Sequence, residues 1–318
     1  MSLSKRLEDA TAPILVLTPS QGSALTRIRA RYENGDYHLE SVPCYCGGDE
    51  SVEIAKRDRY GLPVTTLLCR RCGLMRTSPR FTPETNRRFY AEDYRALYDD
   101  TENIEPFFLK QARQGLDILK GATALFQRVK TVYDIGCGAG GMLYAFSKAG
   151  KEVAGCDFNT RYLEFGQKLG LPLTEGGVEA LLGAAGGPAD LVILSHVLEH
   201  FLDLKGELEE ALRAVRPGGY MLIIVPTVET ISDLYNGDIR LYLQNAHTYH
   251  FSEPTLTYVL QTVGVRLHCI SDRNTALVQR PEEWRPGAHH PAALPTANFD
   301  RVLDLLTALE DIINPKKN

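Results

Sequence analysis

The sequence predicts an α/β fold: a doubly wound, mostly parallel seven-stranded sheet behind a small cysteine-rich module. Three observations point there. From Lys130 onward, apolar strand-like runs alternate with helical runs; a glycine-rich loop follows the first of those strands; and two cysteine pairs lie ahead of the alternating region. A chain of 318 residues can bury one substantial core and still carry a small second module.

Taken in order, residues 1–40 mix charge, turn residues and short apolar runs such as PILVL, and are expected to form an irregular arm or a strand pair. Residues 41–80 hold the paired cysteines. Residues 81–127 read as a helical linker: FTPETNRRFYAEDYRALY has aromatic residues at helix-like spacing. Phe107, Phe108, Leu116, Ile118, Leu119 and Leu125 follow at helical intervals. Residues 128–282 form the main domain. Its strands are TVYDIG, EVAGCD, LPLT, ADLVILS, GGYMLIIVP, VRLHCI and TALVQ, with helices around Leu143 to Lys148, Tyr162 to Leu169, Glu207 to Val215, and PTLTYVLQTVG. The unbroken apolar runs LVIL and MLIIV suit strands covered on both faces. Residues 283–318 form a tail whose helix, NFDRVLDLLTALEDII, is amphipathic and either caps the domain or pairs with another subunit as a homo-oligomer contact.

The net charge of -5 and pI near 5.9 disfavour a phosphate backbone as partner, because proteins that grip one carry a basic excess. No run reaches the ~18 to 20 apolar residues of a membrane span, and PILVL is too short for a signal peptide. A cytoplasmic protein with no membrane association is expected. Cys137, Cys156 and Cys269 sit in apolar strand-like surroundings and are expected to pack as small core residues. Cys44 and Cys46 precede Gly47, and Cys69 and Cys72 precede Gly73. Two such knuckles suit a zinc ribbon, with Zn2+ held structurally by four thiolates; a redox pair is the alternative and leaves the second knuckle without a purpose. Lys56, Arg57, Arg59, Arg70, Arg71 and Arg76 in this module read as a solvated basic face rather than a nucleic-acid surface.

In DIGCGAGG, Gly136, Gly138 and Gly140 permit a tight turn and close approach of a ligand to the backbone at a helix N-terminus. Asp157, at the end of the second strand, is placed to accept hydrogen bonds from ribose hydroxyls. Gly136, Gly138 and Gly141 also satisfy the dinucleotide pattern, so the loop alone leaves a nicotinamide-dependent oxidoreductase open. With Asp134 before the glycines, ADLVILSHVLEH at the fourth strand and RPGGYMLIIVP at the fifth, residues 128–280 resemble the class I S-adenosylmethionine-dependent methyltransferases, whose fold is Rossmann-like. That resemblance implies Gly136, Gly138 and Gly140 beneath the methionine part of S-adenosyl-L-methionine, Asp157 on the ribose, and Phe158 beside the adenine. It also implies Val178 and Glu179 on the adenine side, with Ser195 and His196 lining the pocket. Glu199 and His200 are assigned to the following turn.

A zinc-binding module ahead of such a domain, followed by FYAEDY, is similar to bacterial methyltransferases that modify sugars, including C-methyltransferases of nucleotide-linked ketosugars. Those carry a Glu-His pair shortly before Phe-Ser. In NAHTYHFSEPTL, His247 and Phe251-Ser252 match, but Ala246 stands where the glutamate belongs. The departure shifts the expectation from carbon to oxygen: methylation of a hydroxyl on a small carbohydrate-like molecule. His247 is then the leading general base, with His250 and His196 as further candidates and Tyr249 orienting substrate. A nucleic-acid-directed methyltransferase remains the third class.

Overall fold

The near-continuous apolar segments from Thr131 onward do form one sheet, and residues ahead of them form two smaller ones. In the computed structural model, residues 2–98, 103–121, 127–270, 274–288 and 290–315 are described. The N-terminal part carries β1 (Leu39–Glu40), β2 (Ser51–Arg57), β3 (Pro63–Cys69), β4 (Met75–Thr77) and β5 (Arg80–Phe81). The main domain contributes β6 (Thr131–Ile135), β7 (Glu152–Asp157), β8 (Leu173–Glu175), β9 (Ala189–Ser195), β10 (Val215–Ile224), β11 (Tyr249–His250), β12 (Arg266–Ile270) and β13 (Thr275–Gln279).

The large sheet has the order β12-β13-β10-β9-β6-β7-β8. Its strands are parallel except β13, which runs antiparallel to β10 and β12. Period-two alternation assigns its faces: Tyr133, Ile135, Val192, Leu194, Met221 and Ile223 enter one core, while Val132, Leu191, Ile193, Leu222 and Ile224 enter the other. The strand order reverses between β6 and β9, so a crevice forms beyond their carboxyl ends. The linker helix Glu105–Gly121 presses against the helix that follows the glycine loop, Gly141–Lys148. A Cβ at Gly141 would come within 2.2 Å of the Phe108 carbonyl, and one at Gly115 within 2.8 Å of the Met142 carbonyl. Leu125, expected in that linker helix, lies outside the described residues.

Three expectations change. Half of residues 1–40 are helical, in helices at Lys5–Asp9 and Pro19–Glu33, the second started by a capping box of Thr18 and Gln21 with Pro19 at the first turn. Val215 begins β10 instead of ending a helix, which stops at Arg213. Cys269 is exposed on edge strand β12, whereas Cys137 and Cys156 are buried. The C-terminal helix Asn298–Ile313 buries Phe299, Val302, Leu306 and Leu309 among Leu7, Ile54, Leu68, Met75, Ile239 and Tyr242. Its apolar stripe therefore caps the molecule, the first of the two roles expected, while Ile312 and Ile313 at its end stay exposed.

The cysteine module does not close on itself. β2, β3 and β4 form a sheet of order β11-β4-β3-β2, whose last strand comes from the main domain: Tyr249 pairs with Arg76 and His250 with Met75. The basic residues are tied down as well. Lys56 pairs with Glu8 at 2.5 Å, Arg59 bonds Gln244, Arg76 is buried beside Ser51, Arg70 lies over the Phe299 ring, and Arg71 bonds the Cys46 carbonyl. Of the solvated basic face expected, Arg70 and Arg71 remain exposed, Lys56, Arg57 and Arg59 are half-buried, and Arg76 is buried.

Candidate functional site

The crevice at the carboxyl ends of β6, β7 and β9 brings most of the sequence-derived cofactor residues together. Gly136, Gly138 and Gly140 hold φ of 74°, 55° and 74°, a region open to glycine and strained for other residues. The turn after β9 touches this loop, since a Cβ at Gly136 would lie 2.5 Å from Val197 Cγ2. Asp157 accepts from the Gly138 amide at 2.9 Å and the Asn159 amide at 2.7 Å, with the Arg95 guanidinium 3.5 Å away. Arg95 in turn lies over the Tyr162 ring. Asp134 is buried, one of its carboxylate oxygens has no partner among the described residues, and burial together with the Asp157 charge pushes its carboxyl well above the usual range. An ammonium group suits that orphaned oxygen. Phe158 is 79% exposed, and its ring lies 3.8 Å from where a Cβ of Gly177 would stand. The two expected adenine-side segments are thus neighbours. Val178 is buried in the core, while Glu179 extends into solvent toward Arg213, 4.0 Å away.

A second group lies beside this crevice. His196 follows β9 with φ 56°, a conformation that costs a non-glycine residue about 1 to 3 kcal/mol and is typical of functional turns. Its amide donates to the Ile224 carbonyl at 2.8 Å, its ring is half exposed, and Nδ1 lies 3.3 Å from Glu199 Oε1. Glu199 is fully buried in the short turn Leu198–His200. His247 Nε2 lies 3.9 Å from the same carboxylate oxygen, and its ring packs edge-on against His200 with centroids 4.9 Å apart. His200 Nδ1 is 2.8 Å from the Tyr90 hydroxyl and 2.9 Å from the Ala246 carbonyl. Burial lowers the pKa of His200, drives His247 well below its ordinary value, where charge on His200 and His250 acts in the same direction, and takes His250 to about 3. All three are neutral imidazoles, His200 and His247 beside the Glu199 carboxylate and His250 behind His247.

The structure therefore redistributes the expected catalytic roles. His247 and His250 are 3% and 1% exposed, so neither offers a ring to a solvent-borne acceptor, whereas His196 does. Tyr249 is a sheet residue whose hydroxyl lies near Arg80 and the Leu202 carbonyl, not a group pointing at substrate. Glu199, His200, Tyr90 and Arg95 were missed. The signals available were the three-residue step from His196 to Glu199 and the four-residue tyrosine ladder of Tyr90, Tyr94 and Tyr98, whose rings pack at 4.6 and 4.8 Å. A small cavity adjoins His247, lined by Thr77, Arg80, Asn86, Asn245 and Thr248 together with Phe81 and Leu202. The Asn245 side-chain nitrogen has no partner there, while its oxygen accepts from Tyr98 at 2.6 Å.

The four cysteines meet, all Sγ atoms lying within 4.8 Å of one another. Cys44 and Cys72 are 3.6 Å apart, and Cys46 and Cys69 are 3.7 Å apart. Tetrahedral Zn–S bonds of about 2.3 Å require sulfurs roughly 3.8 Å apart, so the donor set fits that ion. Hydrogen bonding with Cys44 lowers Cys46 to about 7. The knuckle glycines Gly47 and Gly73 take φ of 76° and 69°. Asn298 of the C-terminal helix donates to the Cys72 and Gly73 carbonyls at 3.1 and 3.2 Å.

The sequence profile of the methyltransferase domain family matches residues 107–270, just over half of the chain. The chain belongs to that family. A demethylmenaquinone methyltransferase of Corynebacterium kroppenstedtii is 28% identical over 170 residues, 52% of this chain and 69% of its own. A ubiquinone biosynthesis O-methyltransferase of Cupriavidus pinatubonensis is 32% identical over 103 residues, 30% of this chain and 40% of its own. An O-methyltransferase family protein from Burkholderia thailandensis superposes with a TM-score of 0.44 at 22% identity, covering 63% of each chain. The matches thus span from two fifths to just over two thirds of the relatives' own lengths, and the cysteine module lies outside the matched family segment. No helix among the described residues is long and apolar enough to cross a membrane.

Proposed function

We propose that the chain transfers the methyl group of S-adenosylmethionine to a hydroxyl of a small, polar, sugar-like acceptor, with His196 receiving the hydroxyl proton. The observation that carries this reading is the position of His196: half exposed after β9, beside the glycine loop, with Nδ1 3.3 Å from the buried Glu199 carboxylate. The cofactor supplies an activated methyl on a sulfonium. Everything else falls to the chain. Asp157 and the glycine loop hold the ribose and methionine ends, Asp134 accepts from the ammonium, and Phe158 with Val178 borders the adenine. The Glu199 carboxylate, 3.3 Å from Nδ1, favours the imidazolium that forms; as oxygen bonds to carbon and the S–C pair stays on sulfur, the acceptor proton moves to the exposed His196 ring and then to water.

The similarity of HTYHFS to the matching segment of the sugar methyltransferases favours a hydroxylated acceptor over a flat apolar one. The relatives named ubiquinone biosynthesis O-methyltransferases support a second reading, a phenolic hydroxyl, which offers the same proton to the same base. The four cysteines are proposed to hold one structural zinc, which with four sulfur ligands has no open position for chemistry.

Methyl incorporation into panels of nucleotide sugars, glycosides and quinols tests the acceptor class. Incorporation confined to quinols would overturn the carbohydrate part. His196→Ala is expected to retain affinity for S-adenosylhomocysteine and lower turnover by about 10² to 10⁴, with little change in KM. Undiminished turnover at saturating acceptor would remove His196 from the proton path.

A further inference from the structure

Glu199 presents a difficulty that methyl transfer alone does not resolve. Its side chain is fully buried, and neither carboxylate oxygen has a hydrogen-bond partner among the described residues. An isolated buried carboxylate is costly by several kcal/mol unless a cation or donors face it. Among the described residues, the basic groups within 4 Å of it are the imidazoles of His196 and His247. His250, one ring further on, has neither nitrogen bonded. Tyr90, packed against His200, brings a neutral phenol.

We propose that Glu199, His200 and His247 bind a divalent transition-metal ion, a second metal site separate from the four cysteines, with open coordination positions toward His196 and the acceptor. One ligand atom from each residue lies within 4.8 Å of the others. Metal–N and metal–O bonds of about 2.0 to 2.2 Å place neighbouring ligands roughly 3 to 3.5 Å apart, a contraction of at most about 1.3 to 1.8 Å from the spacing here. His200 is already set for ligation. With its proton on Nδ1, it donates toward the Ala246 carbonyl at 2.9 Å and the Tyr90 oxygen at 2.8 Å, which leaves the Nε2 lone pair free; this backing of the remote nitrogen is what orients metal-bound histidines. On His247 the Gln244 amide now donates to Nε2, and the ion takes that place. Two imidazoles and one carboxylate leave positions open and suit iron(II) or zinc.

The role of the ion rests on the methyl-transfer reading, although its presence does not. An acceptor hydroxyl bound to the metal has a lowered pKa. The proton leaves to His196, the oxygen bonds to the methyl carbon, and the electron pair of the broken S–C bond remains on sulfur.

The test uses full-length protein whose cysteine site is saturated with zinc, titrated with Co2+ and followed by optical absorption. One further Co2+ per chain is expected, with ligand-field bands and no sulfur-to-metal charge-transfer band. Glu199→Gln keeps the shape of the side chain and is expected to weaken Co2+ binding by at least about tenfold, the lower end of what loss of even an outer-shell partner costs. His200→Asn serves as an independent second variant. The proposal is overturned if wild-type protein carrying one zinc per chain, held at the four cysteines alone, binds no Co2+, or if Glu199→Gln binds it as tightly as wild type. Calorimetry of S-adenosylhomocysteine on the same samples separates the two readings. Cofactor bound without Co2+ overturns the metal alone, and Co2+ bound without cofactor upholds the metal and overturns methyl transfer.

Discussion

At the carboxyl ends of β6 and β7, Asp134 and Asp157 stand close enough that the charge of one raises the other. They serve different ends. Asp157 already holds the amides of Gly138 and Asn159, so its carboxylate both shapes the loop and offers oxygen to a ribose. Asp157→Ala is expected to weaken S-adenosylmethionine binding by about 1.5 to 3 kcal/mol, the scale of a hydrogen bond to a charged group; calorimetry on folded variant checks this, with Asp157→Asn intermediate because one oxygen remains. The buried histidines make a different prediction, about acid. His250 is neutral in the fold, with its pKa taken from the ordinary 6.5 to about 3. Its contribution is therefore complete above pH 6.5 and is lost as pH falls from 6.5 toward 3, because the unfolded chain binds the proton first. The loss is up to about 1.4 kcal/mol per pH unit for one such histidine. Urea midpoints measured from pH 7 to pH 5 are expected to fall more steeply for wild type than for His250→Phe.

Among the elements, β9 and β10 were legible because strands buried on both faces write themselves as LVIL and MLIIV, and the glycine loop because its backbone shape excludes most side chains. The helix Pro19–Glu33 was not: only Ala24, Leu25 and Ile28 are buried on it, too few to mark a stripe, and its capping box was outweighed by the apolar PILVL just before. β11 has two residues and exists because β4 offers an edge to it, information that local pattern does not contain. Glu199 was hidden for a related reason. A glutamate between leucine and histidine reads as a solvated turn, and only the tertiary fold brings His247 across to it. The C-terminal helix was legible as amphipathic but not in what it covers. Leu306→Ala there is expected to destabilise the protein by about 2 to 5 kcal/mol, the range for a fully buried leucine, measured by denaturant unfolding. A value below 0.5 kcal/mol would mean that the helix docks elsewhere in solution. The ion pairs of Arg6 with Asp238 and Glu310 at 2.8 and 2.5 Å fasten the opposite end of that helix to the N-terminus.

For the whole molecule, the cysteine module and the site are mechanically one object. Elemental analysis is expected to find one zinc held by Cys44, Cys46, Cys69 and Cys72, and Cys72→Ser to lose it. Because β4 carries β11, and Asn298 ties the second knuckle to Ser252 at the end of HTYHFS, zinc loss is expected to reduce methyl transfer as well as module stability, while affinity for S-adenosylhomocysteine, set at β6 and β7, changes little. An unchanged turnover in the zinc-free protein would show that the module only accompanies the site. The pairing of Met75–His250 and Arg76–Tyr249 also bears on ancestry. Recombination that joined the first 80 residues of one relative to the remainder of another would mate two strands that had never been selected side by side, leaving a frayed seam beside His247 and His250. A chimera that is to keep this pairing has to exchange both segments, far apart though they lie in the gene.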